Sequence, residues 1–203
     1  MKAKFITLEG IESSGKSTSI KTINKVLDTK LINYINTREP GGSPLGKRLR
    51  KFLLNPNSKI SNEVELLLML ADRKDHVEKI ILPHLSKNTW VISDRYMDST
   101  LAYQGGGREL SSKDIELVAS FLNIPSPNLT LLFDLPVEIA LDRAYKRGSL
   151  DRFEQEDIDF HKRIREKYLE LAKKFPQRIK VLDTSKEVGI VQQKVEEAVN
   201  SLF

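Results

Sequence analysis

Residues 5–18 read Phe-Ile-Thr-Leu-Glu-Gly-Ile-Glu-Ser-Ser-Gly-Lys-Ser-Thr. A short apolar run ends in G-x-x-x-x-G-K-S and passes straight into a helical pattern, the setting that a phosphate-cradling loop requires. The residue types follow from the chemistry. Gly10 and Gly15 let the backbone N–H groups of Ile11, Glu12, Ser13 and Ser14 turn inward around an anion, and the helix that opens near Thr18 adds the partial positive charge of its N-terminus. Lys16 is placed to reach β- and γ-phosphates, and the Ser17 hydroxyl to ligate Mg²⁺. Residues 10–18 are therefore expected to bind the triphosphate of a nucleotide.

Outward from this loop, short apolar runs alternate with longer helical patterns. Strands are expected over 3–9, 31–37, 89–94, 129–134 and 179–183, and helices over 15–28, 44–54, 62–85, 112–122, 136–146, 155–175 and 187–202. Apolar residues at Val64, Leu67, Leu68, Ala71, Val77, Ile80 and Ile81 suit a long amphipathic helix. Strands separated by helical crossovers imply an α/β fold with a parallel sheet covered on both faces. No repeat, low-complexity stretch or dividing linker interrupts residues 1–203, so one domain is expected.

In such sheets ligands gather at the carboxyl ends of the strands. Those ends carry the phosphate loop, Arg38-Glu39-Pro40-Gly41-Gly42, Asp94-Arg95-Tyr96 and Asp134-Leu135-Pro136. Asp94 stands where an acid orients Mg²⁺ or its water, although a lone Asp there equally caps a turn; the adjoining Arg95 favours chemistry. Arg38, Arg50, Arg73 and Arg95 could each clamp a monophosphate bidentately. Gln104-Gly105-Gly106-Gly107-Arg108 looks too flexible for the interior of a helix or strand. Residues 142–156 break a helical pattern at Gly148 and hold Arg143, Lys146, Arg147 and Arg152. No Arg or Lys lies between Gly10 and Lys16, so a cation for the transferring phosphoryl group must come from elsewhere. The segment reads either as a solvated charged loop or, the reading favoured by that need, as a mobile lid that supplies the cation.

Bulk properties exclude several classes. The 203 residues suffice for a full hydrophobic core. No apolar stretch approaches the ~18–20 residues that span a bilayer, and Met1-Lys2-Ala3-Lys4 runs directly into a strand, so neither a membrane partner nor a targeting segment is expected. The absence of cysteine excludes disulfides and thiolate chemistry and agrees with a cytoplasmic setting. The net charge is +5, but 33 basic residues are scattered among 28 acidic ones without a run of four. That pattern suits small phosphorylated substrates better than nucleic acid.

Taken together, the motifs resemble those of the bacterial thymidylate kinases, a family of phosphate-loop nucleoside monophosphate kinases. The pieces that carry the likeness are Glu9-Gly10-Ile11-Glu12 with Gly15-Lys16-Ser17-Thr18, Thr37-Arg38-Glu39-Pro40-Gly41-Gly42, Asp94-Arg95-Tyr96, Ser99-Thr100 with Ala102-Tyr103-Gln104-Gly105-Gly106-Gly107-Arg108, and Leu150-Asp151-Arg152-Phe153-Glu154. The resemblance implies a three-layer fold, a five-stranded parallel sheet with helices on both faces and a short lid over about residues 142–153. It implies transfer of the γ-phosphoryl group of ATP to dTMP, Mg²⁺ as cofactor with Ser17 and Asp94 at the metal, and a homodimer. By the same resemblance Glu12 accepts the deoxyribose 3′-hydroxyl, Arg95 sits close to both phosphates, and Arg38 and Arg50 lie at or near the dTMP phosphate. Arg73 reads a thymine carbonyl, Thr100 and Gln104 border the base edge, and Tyr103 packs against the sugar. Arg143 and Arg147 match lid arginines. The sequence departs from many relatives at Met69, where they place a Phe on the thymine face, and at Tyr145, where some carry a further lid arginine. Another phosphate-loop nucleotide kinase and a nucleotide-switched binding protein are the rival readings.

Overall fold

A computed structural model describes residues 2–203. Five strands, β1 (Phe5–Glu9), β2 (Tyr34–Arg38), β3 (Trp90–Asp94), β4 (Leu129–Asp134) and β5 (Ile179–Asp183), form one sheet in the order β2-β3-β1-β4-β5. Every pairing is parallel. Side chains alternate across the sheet with period two. Ile6 and Leu8 join Ile92, Leu131 and Phe133 on one face, beneath α1 (Lys16–Thr29) and α9 (Val188–Asn200). Phe5, Thr7 and Glu9 turn to the other face, covered by α3 (Asn62–His76), its continuation, and α8 (Ile158–Lys174). The result is the three-layer arrangement that hydrophobic runs on every strand demand.

Strand order reverses at β1, which lies between β3 and β4. This leaves a crevice beyond the carboxyl end of β1, and the phosphate loop opens into it. The strand after β1 begins later than the sequence suggests: β2 covers 34–38, not 31–37, because Leu31 takes a left-handed φ of 57° in a tight turn and stands fully out of the sheet. Helix α3 follows its expected course but passes through a π-helical turn at Val77–Ile81 before α4 (Leu82–Ser86). Helix α2 (Pro44–Leu53) is started by Ser43, whose side chain accepts the Gly46 N–H; α8 is started at 158 rather than 155 by Asp157, which caps Phe160 N–H.

The largest departure concerns residues 97–107. The glycines there argued against a helix, yet α5 (Met97–Thr100) runs directly into a π-helical segment, Leu101–Gly107. The glycines serve close packing rather than flexibility. A Cβ on Gly107 would lie 2.5 Å from the Phe160 ring, and one on Gly106 would lie 2.9 Å from the Arg163 carbonyl oxygen, both on α8. Small residues let this segment lie against α8, which pins the Tyr103-Gln104 pair in place. The remaining helices are α6 (Ser112–Ser120) and α7 (Val137–Arg147).

Gly107→Ala should therefore destabilise the fold by about 1–3 kcal/mol through overpacking. A thermal melt would show this as a lowered Tm, whereas an unchanged Tm would mean that α8 yields without cost.

Candidate active site

The phosphate loop, α2, α3, the stretch from Asp94 to Gln104 and the segment around Arg147–Glu154 surround a cavity of about 480 Å³ beyond the carboxyl ends of β1, β2 and β3, within the range of small-ligand sites. The phosphate loop forms its floor. Gly10 has a φ of 135° and its Cα lies so near β4 that a Cβ would meet the Phe133 carbonyl oxygen at 2.5 Å, so only glycine fits. Ser13 and Gly15 are also left-handed, which turns the loop back on itself. Lys16 is buried, and its ammonium donates to the carbonyl oxygens of Gly10 (2.9 Å) and Ile11 (2.8 Å) and to Ser14 Oγ (3.3 Å). The loop thus holds its own cation over the space it encloses. Burial, with Arg95 close by, pulls the Lys16 pKa down to about 8.

Arg95 joins this loop to the second half of the cavity. It follows β3 with φ 72°, a strained conformation for a side chain with a Cβ. Its backbone N–H donates to Leu8 O, and its carbonyl accepts from Ser93 Oγ. From there Nη1 donates to Gly10 O (2.9 Å), Ser99 Oγ (3.2 Å) and Tyr168 Oη (3.3 Å), and Nη2 to Glu12 Oε1 (2.7 Å) and Tyr103 Oη (3.0 Å). Tyr103 also donates to Glu12 Oε1 at 2.6 Å. Burial would raise the Glu12 carboxyl, but Arg95 and Lys16 outweigh it and hold the carboxyl below its ordinary range.

A third group lines the deeper end. Glu65, Met69, Asp72, Arg73 and His76 fall along one stripe of α3, and Met69, Asp72 and Arg73 reach the cavity. Arg73 donates from Nε to Glu39 Oε2 (2.7 Å), from Nη1 to Thr100 Oγ1 (2.7 Å) and Met97 Sδ (3.5 Å), and from Nη2 to Tyr96 O (2.9 Å). One of the five guanidinium N–H groups is left for a ligand. Glu39 is paired a second time by His76 Nδ1 at 2.8 Å. Asp72 accepts the Gly41 N–H, and burial, with Glu39 nearby, pushes its carboxyl up to about 6.

Of the residues that sequence reasoning singles out, Glu12, Ser13, Ser14, Gly15, Lys16, Ser17, Thr18, Arg50, Met69, Arg73, Asp94, Arg95, Thr100, Tyr103, Gln104 and Arg147 all border this cavity. Gly10 and Ile11 lie just beneath it. Arg38 is exposed at the end of β2, near enough to Arg50 to lower the latter's pKa second to burial. Arg143 is exposed on α7 and is not brought to the cavity. Arg147, one turn later, is at its mouth: it donates to Ser13 Oγ at 3.1 Å and pairs with the buried Glu154. Sequence reasoning passed over the residues that hold these groups. Glu39 and Glu154 lay inside quoted motifs, and Glu65 and Asp72 share the α3 stripe with Met69 and Arg73, a pattern that could have marked them.

Asp94 Oδ1 is buried and accepts no hydrogen bond among the described residues. An orphaned carboxylate oxygen, with the Ser17 hydroxyl bordering the same cavity, fits a divalent cation or its bound water. The described residues offer no cluster of three acids or histidines that could hold such an ion alone, so phosphate oxygens and water must complete its shell.

Comparison with known proteins points one way. The family model described as thymidylate kinase matches residues 8–195. The thymidylate kinase of Carboxydothermus hydrogenoformans is 51% identical, with 92% of each chain covered. That of Neisseria meningitidis serogroup B is 42% identical across 100% of this chain and 99% of the relative. A crystal structure of thymidylate kinase from Ehrlichia chaffeensis superposes with a TM-score of 0.81 at 30% identity, covering 98% of this chain and 100% of that one.

Glu39→Ala would leave Arg73 buried without its countercharge. The expected loss of folding stability is about 3–5 kcal/mol, measured as a lowered denaturant midpoint. A loss below 1 kcal/mol, on the order of an exposed ion pair, would show that Arg73 is satisfied without Glu39.

Proposed function

The chain belongs to the thymidylate kinase family, and from that premise we propose how its own residues perform the reaction. The enzyme transfers the γ-phosphoryl group of ATP to dTMP, giving dTDP and ADP, a step of dTTP synthesis. Membership in this family disfavours the rival kinase readings and leaves no role for a nucleotide switch. One observation carries the residue assignment: the phosphate loop and an arginine-rich acceptor pocket open on a single cavity, joined by Arg95.

In this reading residues 10–18 hold the phosphates of ATP. Lys16 exchanges its loop carbonyls for phosphoryl oxygens, where its charge opposes the negative charge that is being transferred. Arg50 and Arg38, with Arg95, receive the dTMP phosphate. Glu12 accepts the sugar hydroxyl while Arg95 and Tyr103 hold it in place, and its lowered pKa keeps it an acceptor. Arg73 offers its remaining N–H to a thymine carbonyl, Thr100 and Gln104 border the base edge, and Met69 covers a ring face with a polarizable thioether. Ser17 and Asp94 would hold Mg²⁺, which supplies charge neutralisation on the phosphates when bound. Positioning and electrostatics carry the whole reaction, since phosphoryl transfer asks little covalent chemistry of the protein.

Residues 142–153 act as the lid of one domain spanning 1–203. Arg147 is the lid cation; Arg143, one turn earlier on the same helical face, stands outside the cavity and would reach the phosphates only on closure of the lid. A second copy of the chain is the expected partner. Val64 and Leu67 on α3 and Leu117 and Phe121 at α6 are exposed apolar residues, and Lys74 ties the two helices together through Leu122 O at 2.9 Å. A sizing column that returned only monomer would remove the homodimer. Nothing in the site calls for nucleic acid, and no helix of the described residues is long and apolar enough to cross a membrane. A cytoplasmic setting is consistent with both.

Coupled ADP release should be fastest with dTMP, slower with dUMP, dCMP or dGMP, and near background without an acceptor. Lys16→Ala should lower kcat by more than about tenfold, a cost above ~1.4 kcal/mol; a folded variant that keeps its rate would remove Lys16 from the chemistry. Arg147→Ala should lower kcat and kcat/KM together, because its charge acts chiefly in the transition state. Arg143→Ala should do the same more weakly. A change confined to the KM for dTMP would make the segment a binding loop instead.

A further inference from the structure

Glu65 lies outside the cavity, buried on α3. Three side chains converge on its carboxylate. Gln104 Nε2 donates at 2.8 Å and Arg152 Nη1 at 2.8 Å, while Arg108 approaches with Nη2 at 3.2 Å and Nε at 3.3 Å from both oxygens. The two guanidinium groups compensate the buried charge. They are themselves braced on Phe153, with Arg152 at 4.6 Å and Arg108 at 5.7 Å from the ring centroid. Arg152 is tied further to the Leu53 and Leu54 carbonyl oxygens. Two arginines therefore hold the carboxylate in place, and Gln104 is its third partner.

Gln104 does border the cavity. A carboxylate can only accept, so it decides which end of the neighbouring amide turns towards it. The NH₂ end must face Glu65; the opposite orientation would set oxygen against oxygen in a buried place, with the amide hydrogens unpaired. The carbonyl oxygen Oε1 accepts no hydrogen bond from any described residue, and it is the end left for a ligand.

We propose that Glu65 is a positioning residue that sets base specificity through Gln104. By holding one hydrogen of the amide NH₂, it fixes the orientation of Gln104 so that the carbonyl oxygen is presented to the base edge. A base with an N–H there, the N3–H of the thymine imide, gains a hydrogen bond. Cytosine, which has a lone pair at N3, meets another lone pair. A site built for a hydrogen bond rejects an analogue that cannot make it far more strongly than an apolar pocket rejects a change in shape. The inference rests on the placement of the acceptor base at Gln104 under Proposed function.

The readout is the ratio of kcat/KM for dTMP to that for dCMP. Glu65→Gln keeps the shape but lets the Gln104 amide adopt either orientation. The ratio should fall about tenfold or more, the order of one buried hydrogen bond, with the KM for ATP unchanged. Gln104→Leu should lower the ratio similarly while leaving both arginines on Glu65, and adding Glu65→Gln to it should move the ratio no further. A merely structural Glu65 would lower the Tm without changing the ratio. If Gln104→Leu itself leaves the ratio unchanged, the base does not lie at Gln104 and the placement beneath the proposal fails. If Gln104→Leu lowers it but Glu65→Gln does not, the placement stands and the role of Glu65 is overturned. Should Glu65→Gln fail to fold, Glu65→Asp replaces it, since it keeps the charge for the arginines and withdraws the oxygen from Gln104. The same fall in ratio supports the proposal, and an unchanged ratio overturns it.

Discussion

Everything in the cavity is registered against the guanidinium of Arg95. Its nitrogens touch the phosphate loop at Gly10 and its carboxylate at Glu12, Tyr103 on the segment that follows α5, and Tyr168 on α8. A planar group with fixed donor directions cannot serve these three elements unless each is correctly placed. The backbone conformation reflects the same constraint. Arg95 takes a left-handed φ that costs about 1–3 kcal/mol in a residue other than glycine. Two hydrogen bonds, to Leu8 O and from Ser93 Oγ, keep it there. That turn aims the side chain back across the end of β1 instead of onward along β3.

Beneath Arg95 lies a second organised layer. Glu9 is fully buried on β1 and accepts from Tyr96 N–H (2.8 Å), Ser99 Oγ (2.5 Å) and Tyr168 Oη (3.0 Å). Burial, with Asp98 adding to it, raises its carboxyl. Two of those partners, Ser99 and Tyr168, also receive Arg95. On the other side, Glu39 holds Arg73 and His76, and His76 Nε2 lies 2.7 Å from Thr37 Oγ1. Buried ion pairs of this kind add little net stability, because desolvation offsets their attraction. Their effect is to fix geometry. A cation already bound by protein loses little conformational freedom when substrate arrives, so more of the interaction appears as affinity or rate.

Much of this was legible in the sequence, for identifiable reasons. The phosphate loop combines a fixed spacing with a strand before it and a helix after it, and the strands of a doubly covered sheet are continuous apolar runs such as Phe133's neighbours in β4. The helix through Gly105, Gly106 and Gly107 was hidden, because glycine is a poor helix former and its advantage here comes from α8, more than fifty residues away. The same limit applies to Arg73 and Arg95, whose side chains suggested phosphate clamps. Their donors are largely taken by Glu39, Glu12 and neighbouring oxygens, and spacing along the chain carries no record of such partners. Arg143 and Arg147 looked equivalent in sequence, yet only Arg147 reaches the mouth of the cavity.

That difference bears on how Arg147 is kept at the mouth of the cavity. Arg147 is half exposed and pairs with Glu154, which is buried. Glu154 in turn accepts the Asp151 N–H at 3.1 Å, and Asp151 Oδ1 accepts the Phe153 and Glu154 N–H groups. The carboxylate is thus rigidly placed within its own short loop. Phe153 is buried beside Tyr103, with ring centroids 5.7 Å apart, so this loop is anchored to the wall of the acceptor pocket. Arg147 is therefore positioned through a chain of contacts that begins at Tyr103 in the cavity wall, while its other hydrogen bond goes to Ser13 in the phosphate loop. Only the Arg147 end of this pair is exposed, so separating it would leave the buried Glu154 carboxylate without its countercharge, a costlier step than losing an exposed ion pair. Glu154 thus keeps the Arg147 guanidinium near the mouth of the cavity.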